Sequence, residues 1–320
     1  MNKHLFEEAP SENVLLVDGH NVIFRTIFAA QSELDRSKME DPKFTYFKIY
    51  FLNTLKFLVE QFKPTRLIVS IDSKNGWRKK IYPSYKEQRK KARDDSKVDF
   101  QAFFKILDPF IDDLKQAFQN IEILKIDEAE GDDIIAVVCQ ILRNDNITII
   151  STDHDFYQLQ QFKNVKQWDP KEKSYATPLN AETSLDAKII GGDKNDNIPA
   201  IYPRLGKVSI AKILNSEFMT NLNDENYYLN EDNRKNFITK YRISPEQCRQ
   251  NYIRNTQLID FKHIPTEIKT KISEKIQNPD IKKFDGRKFN SFLFDHELSS
   301  IIPKSKDYTD SLGKLLYEKF

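Results

Sequence analysis

Short apolar runs rich in β-branched residues recur along the first half of the chain. Four have the length of a strand: Asn13 to Val17, Arg66 to Ile71, Ile121 to Ile126 and Ile147 to Ser151. Between them, apolar residues repeat at helical spacing over Phe44 to Phe62, Phe100 to Phe118 and Ile134 to Leu142. Apolar strands that alternate with amphipathic helices are typical of a parallel sheet covered by helices on both faces. The pattern predicts an α/β fold with a mostly parallel, four-stranded central sheet.

The second part of the chain has helical signals and no further strand pattern. Helices are predicted at Ser184 to Ile190, Lys207 to Asn215, Ser244 to Ile259 and Glu267 to Ile276. The polar stretch 221–237 is typical of a surface insertion. The spacing of Leu312, Leu315, Leu316 and Phe320 favours core packing over a partner helix. We therefore expect an α/β domain over residues 12–180 and a smaller helical domain over residues 181–320.

Several classes of protein are disfavoured by the composition. No apolar run approaches the roughly 20 residues of a membrane-spanning helix. The N-terminal segment has acidic residues where a secretory signal would be basic. Cys139 lies in an apolar helical pattern and is predicted to be a core residue, which fits a reducing cytosol. We expect a cytoplasmic monomer that has no membrane partner.

Charge is sorted into blocks along the chain. Lys and Arg number 50 and Asp and Glu 48, so the net charge of +2 carries no information about nucleic acid. Between Lys74 and Arg93, however, nine basic residues face one acid, Glu87. Residues 75–97 are too polar for a core, and we expect them to form a mobile basic loop. A basic excess next to an acidic cluster favours a polyanionic substrate, although a solvated charged loop is the simpler alternative.

Aspartate repeatedly follows the predicted strands. Seven carboxylates are expected at one edge of the sheet: Asp18, Asp72, Asp153 and Asp155 after strands, and Glu130, Asp132 and Asp133 at the start of a helix. Each one taken alone is equally well explained as a helix N-cap. Together they would repel one another, and a hard divalent cation with oxygen ligands would relieve that repulsion. His20 and His154 are each near acids, and His154 is interpreted as a polar loop residue.

A further acidic element follows the α/β pattern. Asp193 and Asp196 lie in the stretch Gly191 to Pro199, and a new helix is predicted to begin near Lys207. The backbone N–H groups after Gly206 could bind a phosphate, as in a helix-hairpin-helix DNA-binding element over residues 191–215. A plain surface turn is the favoured interpretation of this element by itself.

The order of these motifs resembles the flap endonuclease and 5′ to 3′ exonuclease family. The resemblance covers about residues 14–215 and rests on five pieces: Asp18-Gly19, Asp72, the basic run Arg78 to Arg89, Glu130 to Asp133 with Thr152 to Asp155, and Gly192 to Pro199. The run Asn164 to Pro170, the free-standing length and the low glycine content are most similar to the ribonuclease H branch found in T-even bacteriophages. The last third of the chain carries no motif that we can assign.

The resemblance implies roles for particular residues. Two Mg²⁺ ions, or Mn²⁺ as a substitute, would be held by Asp18, Asp72, Glu130, Asp132, Asp133, Asp153, Asp155, Asp193 and Asp196. Charge placement then suggests that Arg78, Lys86 and Arg89 face the scissile phosphate. Nucleic acid would be bound by Tyr82, Tyr85, Lys90, Lys91, Arg204, Gly206, Lys207 and Lys212, with the two tyrosines stacking on a base. Arg204-Leu205-Gly206 replaces the Gly-x-Gly turn of bacterial relatives, which leaves the potassium site of that turn open.

The implied function is a Mg²⁺-dependent, structure-specific 5′ nuclease. Its substrates would be RNA–DNA hybrids, nicked duplexes and flaps, cut to leave 5′ phosphates during the removal of RNA primers. Residues 75–97 would form the arch that selects free 5′ ends. A single-stranded-DNA-binding protein and a sliding clamp are the expected protein partners. For a bacteriophage protein, the expected location is the cytoplasm of the bacterial host.

Three other classes of protein share parts of the pattern. A phosphatase of the haloacid dehalogenase type needs Asp-x-Asp after the first strand, where this chain has His20. A PIN-type endoribonuclease has similar strand-end carboxylates but is not expected to carry the element at Asp193 to Leu214. A non-catalytic DNA-binding scaffold would have lost metal ligands, whereas every acidic position is filled in this chain. The balance between exonuclease and flap endonuclease, and between RNA and DNA, stays open.

Overall fold

The computed structural model of the protein describes residues 12–177, 181–224 and 226–315. The chain forms two compact units, each built from separated segments. The sheet unit comprises Met1–Lys74, Ser96–Ala176 and Glu267–Phe320, and the helical unit comprises Asn75–Asp95 and Thr177–Thr266. In the described ranges, no helix has both the length and the apolar character needed to cross a membrane.

The sheet has six strands in the order β3-β2-β1-β4-β5-β6. They are β1 (Asn13–Asp18), β2 (Arg66–Ile71), β3 (Glu122–Lys125), β4 (Asn146–Ile150), β5 (Val165–Asp169) and β6 (Ser174–Tyr175). The first five are parallel and β6 pairs antiparallel with β5. The strand order reverses between β1 and β4, the point at which open α/β sheets form a crevice beyond their carboxyl ends. The predicted α/β class is confirmed.

Helices account for the rest of the regular structure in the described residues. In chain order the α-helices are α1 (Gly19–Ser37), α2 (Thr45–Phe62), α3 (Arg78–Ile81), α4 (Gln88–Asp94), α5 (Phe100–Ala117), α6 (Gly131–Ile141), α7 (Ala181–Gly191), α8 (Lys207–Leu214), α9 (Phe218–Asn223), α10 (Glu231–Tyr241), α11 (Pro245–Ile259), α12 (Thr266–Gln277), α13 (Gly286–Asp295) and α14 (Ser305–Ser311). Short 3₁₀ helices occur at His154–Gln161, Asn226–Leu229, Phe261–His263, Ile302–Lys304 and Leu312–Lys314.

The core of the sheet unit combines apolar strands with aromatic helix faces. Phe47 of α2 contacts Phe103 and Phe110 of α5 in edge-to-face arrangements, and such pairs add to the free energy gained by burial. The last described residues belong to the same core, because Leu312 and Leu315 are buried in it. The core packing predicted for these two leucines is confirmed, whereas Leu316 and Phe320 lie outside the described residues.

Two predictions about the sheet unit were wrong. The sheet has six strands instead of four, because β5 contains Lys166 and Gln167 and lacks the apolar run of a buried strand. The domain boundary also differs, since residues from Glu267 onward were expected in the helical domain but lie in the sheet unit. Helix α12 is tied to the sheet there, as Arg66 of β2 donates a hydrogen bond to the carbonyl oxygen of Ile276 (3.0 Å).

The helical unit has its own aromatic core, which corrects two further predictions. The stretch 221–237 is not a surface insertion, because Leu222 and Phe237 are buried against Phe218. Residues 75–95 are not an unstructured loop, because they form α3 and α4 and bury Trp77 and Tyr85. The segment is polar overall, but the aromatic residues between its cations are buried and anchor it to the helical unit.

We predict that Arg66→Met destabilises the protein by about 3–5 kcal/mol, because it leaves a buried carboxylate without its guanidinium partner. Arg66 forms a two-pronged pair with Glu122 (2.7 and 3.0 Å), and both side chains are buried. Urea denaturation followed by circular dichroism measures the loss. The control is Lys43→Met, which removes an exposed pair with Glu297 and should cost much less stability than Arg66→Met. Equal effects of the two substitutions would refute the structural role of the buried pair.

Candidate active site

Asp18 is the buried centre of the carboxylates at the sheet edge. It ends β1 and caps α1, where its carboxylate accepts hydrogen bonds from the backbone N–H of Asn21 (3.1 Å) and the hydroxyl of Ser151 (2.7 Å). Burial raises the pKa of Asp18 to about 7; the two hydrogen bonds oppose this shift, and the charges of Asp72 and Asp153 add to it. Asp18 is therefore a carboxylate whose ionisation is opposed by its surroundings.

Asp72 follows the neighbouring strand β2 and links two helices. Its carboxylate accepts a hydrogen bond from the backbone N–H of Gly131, at the start of α6 (2.6 Å). Its backbone N–H donates to Nδ1 of His20 (3.1 Å), so the imidazole proton in this arrangement is on Nε2. His20 lies in the first turn of α1 and orients the main chain of Asp72.

The acidic residues at the start of α6 form a reciprocal cap. The side chain of Glu130 accepts from the backbone of Asp133, and the carboxylate of Asp133 accepts from the backbone N–H of Glu130 (2.9 Å). Asp133 is fully buried, and Asp132 lies beside it in the same turn. The capping interpretation is therefore correct for this pair, and it does not exclude a second role as metal ligands.

The turn after β4 completes the acidic edge. Asp153 caps the following 3₁₀ helix and accepts from the backbone N–H of Asp155 (2.9 Å). Ser151 donates to Asp18 and accepts from the backbone N–H of Asp153 (3.0 Å), so one hydroxyl connects the two carboxylate positions. The amide of Gln167, on β5, donates to the carbonyl oxygens of Ser151 and Asp153. Sequence reasoning missed Ser151 and Gln167, because their importance depends on strand pairing.

The predicted ligands of the sheet unit fit a hard divalent ion by their chemistry. They offer carboxylate oxygens only, and like charges adjoin a buried carboxyl group at Asp18. Within the described ranges, no three acidic, imidazole or thiol side chains are arranged ready to hold a metal ion. The carboxylates of Asp18, Asp72 and Asp153 already accept hydrogen bonds from groups of the protein. Side-chain rotation away from these donors would therefore accompany metal binding.

Asp193 and Asp196 lie in the helical unit, in a tight turn closed by a bridge between Asp193 and Ile198. Asp193 forms an ion pair with Lys188 (2.6 Å). Burial alone would raise the pKa of Asp193, but the hydrogen bond and charge of Lys188 outweigh burial and lower it. Asp196 is buried and accepts from Arg89 (2.6 Å) and from the hydroxyl of Tyr85 (3.1 Å).

The structure corrects the expected positions of several basic and aromatic residues. Arg78 was expected to face a phosphate, but it is buried and its Nε donates to the carbonyl oxygen of Leu258 (2.8 Å). Tyr85 was expected to stack on a base, but its ring is buried. Lys86 approaches Asp196 (3.9 Å) alongside Arg89, so these two cations stand at a carboxylate of their own unit. Tyr82 is half-buried and its ring faces the guanidinium of Arg254.

The remaining residues predicted to bind nucleic acid are on the surface of the helical unit. The exposed residues are Lys90, Lys91, Arg204, Gly206, Lys207 and Lys212. Gly206 caps α8 without a side-chain hydrogen bond, and a Cβ placed there would meet no atom within 4 Å. The space beside Gly206 is therefore open, and phosphate binding at the start of α8 stays a prediction.

Comparison with known proteins identifies relatives across the first two thirds of the chain. Residues 13–188 match the family model described as the 5′-3′ exonuclease, N-terminal resolvase-like domain. The chain is 33% identical to the ribonuclease H of Enterobacteria phage T4 over 209 residues, which are 62% of this chain and 67% of that protein. It is 28% identical to the flap endonuclease Xni of Shewanella oneidensis, covering 62% of this chain and 73% of that protein.

Other relatives are longer or more distant. The chain is 31% identical to DNA polymerase I of Streptococcus pneumoniae but spans about a quarter of that protein, 24%. One solved structure that is similar is that of the T5 5′-exonuclease with bound divalent zinc ions. Its TM-score is 0.60 at 18% identity, and the match covers 84% of this chain and 99% of that one. At that identity the structural likeness supports the fold.

We predict that Asp18→Asn stabilises the metal-free protein, and that the gain grows as pH rises. The folded pKa of about 7 lies above the ordinary value of 3.8, so the carboxyl group favours folding when protonated. This contribution is complete below pH 3.8 and is lost as pH rises through about 7. Melting temperatures in chelator between pH 5 and pH 8 measure it, each kcal/mol being worth about 2–4 °C.

Asp310→Asn is the matched control for this experiment. Hydrogen bonds from Lys306 and Lys314 lower the pKa of the exposed Asp310 to about 2, so its neutralisation should change stability weakly and in the opposite direction. A melting temperature of Asp18→Asn that stays below wild type at pH 8 would contradict the predicted repulsion at the sheet edge.

Proposed function

The chain belongs to the 5′-3′ exonuclease family and is a nuclease, and from this premise we propose a Mg²⁺-dependent, structure-specific 5′ nuclease that removes RNA primers and flaps. The observation that carries the proposal is the convergence of Asp72, Asp18 and Asp153 at the ends of the adjacent strands β2, β1 and β4. Phosphodiester hydrolysis by the two-metal route needs such a set of oxygen ligands.

We assign the carboxylates to metal binding as follows. Asp18, Asp72, Glu130, Asp132, Asp133, Asp153 and Asp155 would hold divalent metal in the sheet unit, and Asp193 and Asp196 would be metal ligands of the helical unit. When bound, Mg²⁺ supplies an activated water and stabilises the leaving oxygen. His20 accepts the backbone N–H of Asp72 and so holds the main chain there. The carboxylates of Asp18 and Asp72 would turn from Ser151 and Gly131 toward the ion.

Lys86 and Arg89 are proposed to exchange partners when substrate binds. Both cations stand at the carboxylate of Asp196. A phosphodiester is a competing anion with the charge and geometry that Arg and Lys bind. Transfer of the two cations to the scissile phosphate would leave Asp196 available to metal and place positive charge where the transition state is negative.

The substrate class rests on the named relatives and on the exposed cations. Ribonuclease H, flap endonuclease Xni and DNA polymerase I are names of nucleic-acid enzymes. The exposed Lys207 and Lys212 on α8 suit a duplex phosphate backbone. The match over residues 13–188 favours this family over a PIN-type endoribonuclease, and the complete acidic set argues against a non-catalytic scaffold. The sliding clamp and the single-stranded-DNA-binding protein are expected from family resemblance alone.

We predict that Asp153→Asn abolishes cleavage while binding of substrate changes little, because a carboxylate ligand is lost but the basic surface is kept. The assay uses 5′-labelled flap, nicked and RNA-primed duplexes with and without Mg²⁺. Asp99→Asn is the matched control, since Asp99 also caps a helix, accepting from the backbone N–H of Ala102 (2.9 Å), but lies outside the acidic set. Near wild-type turnover by Asp153→Asn in Mg²⁺ would remove the metal-site assignment.

We also predict that Lys207→Ala with Lys212→Ala weakens binding to nicked duplex and flattens its dependence on salt. Each lost phosphate contact should reduce the slope of log affinity against log salt by about 0.9. Fluorescence anisotropy at several salt concentrations, with the uncut substrate in chelator, gives the slope. Lys282→Ala with Lys306→Ala removes the same charge from exposed positions of the sheet unit. Equal slopes for the two double variants would mean that α8 makes no specific backbone contact.

A further inference from the structure

Asn255 is a fully buried amide in the middle of α11, and all of its hydrogen-bonding capacity is used. Its Nδ2 donates to the carbonyl oxygens of Ile189 (2.8 Å) and Pro199 (2.9 Å). Its Oδ1 accepts two hydrogen bonds from the guanidinium of Arg254 (3.1 and 2.8 Å). Burying an amide costs free energy of folding unless its donors and acceptor form hydrogen bonds. The groups that Asn255 binds therefore indicate which part of the structure it stabilises.

The two carbonyl partners of Asn255 stand on either side of the turn that carries Asp193 and Asp196. Inside this turn the backbones of Asp193 and Ile198 exchange hydrogen bonds of 2.8 and 2.7 Å. Gly192 adopts φ of +71°, and a Cβ there would lie 2.3 Å from the carbonyl oxygen of Ile198. The turn is thus short, closed by its own backbone, and held at both ends by one side chain.

Arg254 extends the same contact in two directions. Besides Asn255, its guanidinium donates to Oδ1 of Asn251 (3.1 Å), and the amide of Asn251 donates to the carbonyl oxygen of Ile201 (3.0 Å). The guanidinium also lies over the ring of Tyr82, 5.1 Å from its centroid. One half-buried arginine therefore orients Asn255 and also contacts the basic segment 75–95.

The acidic turn and the basic segment are also joined directly. Asn197 donates to the carbonyl oxygen of Ser84 (2.8 Å), and the backbone N–H of Lys86 donates to the carbonyl oxygen of Asp196 (2.9 Å). A displacement of the turn would therefore move Lys86 as well as Asp193 and Asp196. Its position depends on α11, the helix that supplies the contacts to both of its ends.

We propose that Asn255, oriented by Arg254, is a positioning residue that fixes the carboxylates of Asp193 and Asp196 for a divalent metal ion. The inference rests on the proposed function and deepens it by naming the residue that sets the metal-binding turn. Asn255 touches neither the substrate nor the reacting atoms. It acts through the backbone of residues 189–199, in the way that hydrogen-bonding partners outside a metal site hold its ligands.

The test measures Mg²⁺ binding directly, by calorimetric titration of the full chain without nucleic acid. Asn255→Asp keeps the shape of the side chain but replaces its two N–H donors with an acceptor that faces two carbonyl oxygens. Affinity for Mg²⁺ should fall about 10-fold or more, as for other residues that support metal ligands. The Mg²⁺ concentration that half-saturates flap cleavage should rise in parallel, while KM for the flap changes little.

Arg254→Lys keeps the proposal testable if Asn255→Asp does not fold. It preserves the positive charge but loses the planar fork that binds Asn255 and Asn251, so it should shift Mg²⁺ affinity in the same direction by a smaller factor. Thr256→Ala is the matched control. It removes a helix-internal hydrogen bond to Tyr252 (2.9 Å) from the next position of α11 without touching the turn, and should leave the titration unchanged.

The possible results separate this inference from the proposed function. Unchanged Mg²⁺ titrations of folded Asn255→Asp and Arg254→Lys would overturn the positioning role, even if Asp153→Asn abolishes metal binding. A shift in Thr256→Ala as large as in Asn255→Asp would also overturn it, because the effect would then report helix stability. Absence of Mg²⁺ binding by the wild-type chain would overturn the proposed function and the positioning role together.

Discussion

Three adjacent parallel strands, β2, β1 and β4, deliver carboxylates to one edge of the sheet, and the carboxylate of the central strand, Asp18, is buried beside two that are partly exposed. Asp18, the most enclosed of the three, has its pKa raised to about 7 by burial, with Asp72 and Asp153 adding to the shift. Hydrogen-bond donors surround these carboxylates: the hydroxyl of Ser151 and the N-terminus of α1 donate to Asp18, and the N-terminus of α6 donates to Asp72. A divalent cation would satisfy the same carboxylates more completely, and under the proposed function this ion would compensate for the unfavourable arrangement.

In the helical unit, acidic residues are paired with cations instead of lying beside one another. Its two aspartates, Asp193 and Asp196, are neutralised by cations of the same unit, and their backbone is held by the buried amide of Asn255. Arg89 and Lys86 form ion pairs with Asp196, and under the proposed function a phosphodiester would replace that carboxylate as their partner. The basic segment is consequently packed on its own unit through Tyr85, although its composition suggests a solvated loop.

The sequence predicted those parts of the fold that depend on local pattern. The first four strands carry short apolar runs, and the rule that parallel strands share a carboxyl edge predicts where the acidic residues after them lie. What could not be predicted depends on tertiary contact. Strand β5 was not predicted because its buried residue Gln167 is polar. Gln167 is held in the sheet by hydrogen bonds to the Ser151–Asp153 turn, which no apolar pattern reveals. Similarly, the partners of Arg78 and Asn255 lie far from them in sequence, and no spacing rule connects them.

The central claim, that the carboxylates at the ends of β2, β1 and β4 form a divalent metal site, is tested most directly by crystallography with Mn²⁺. An anomalous difference map from a Mn²⁺-soaked crystal locates the ion without reference to activity. The account predicts a peak within coordination distance of carboxylate oxygens from Asp18 or its neighbours Asp72 and Asp153, with some side chains turned away from Ser151 and Gly131. A map with no peak at this edge, from protein that cleaves flaps in Mn²⁺, would contradict it.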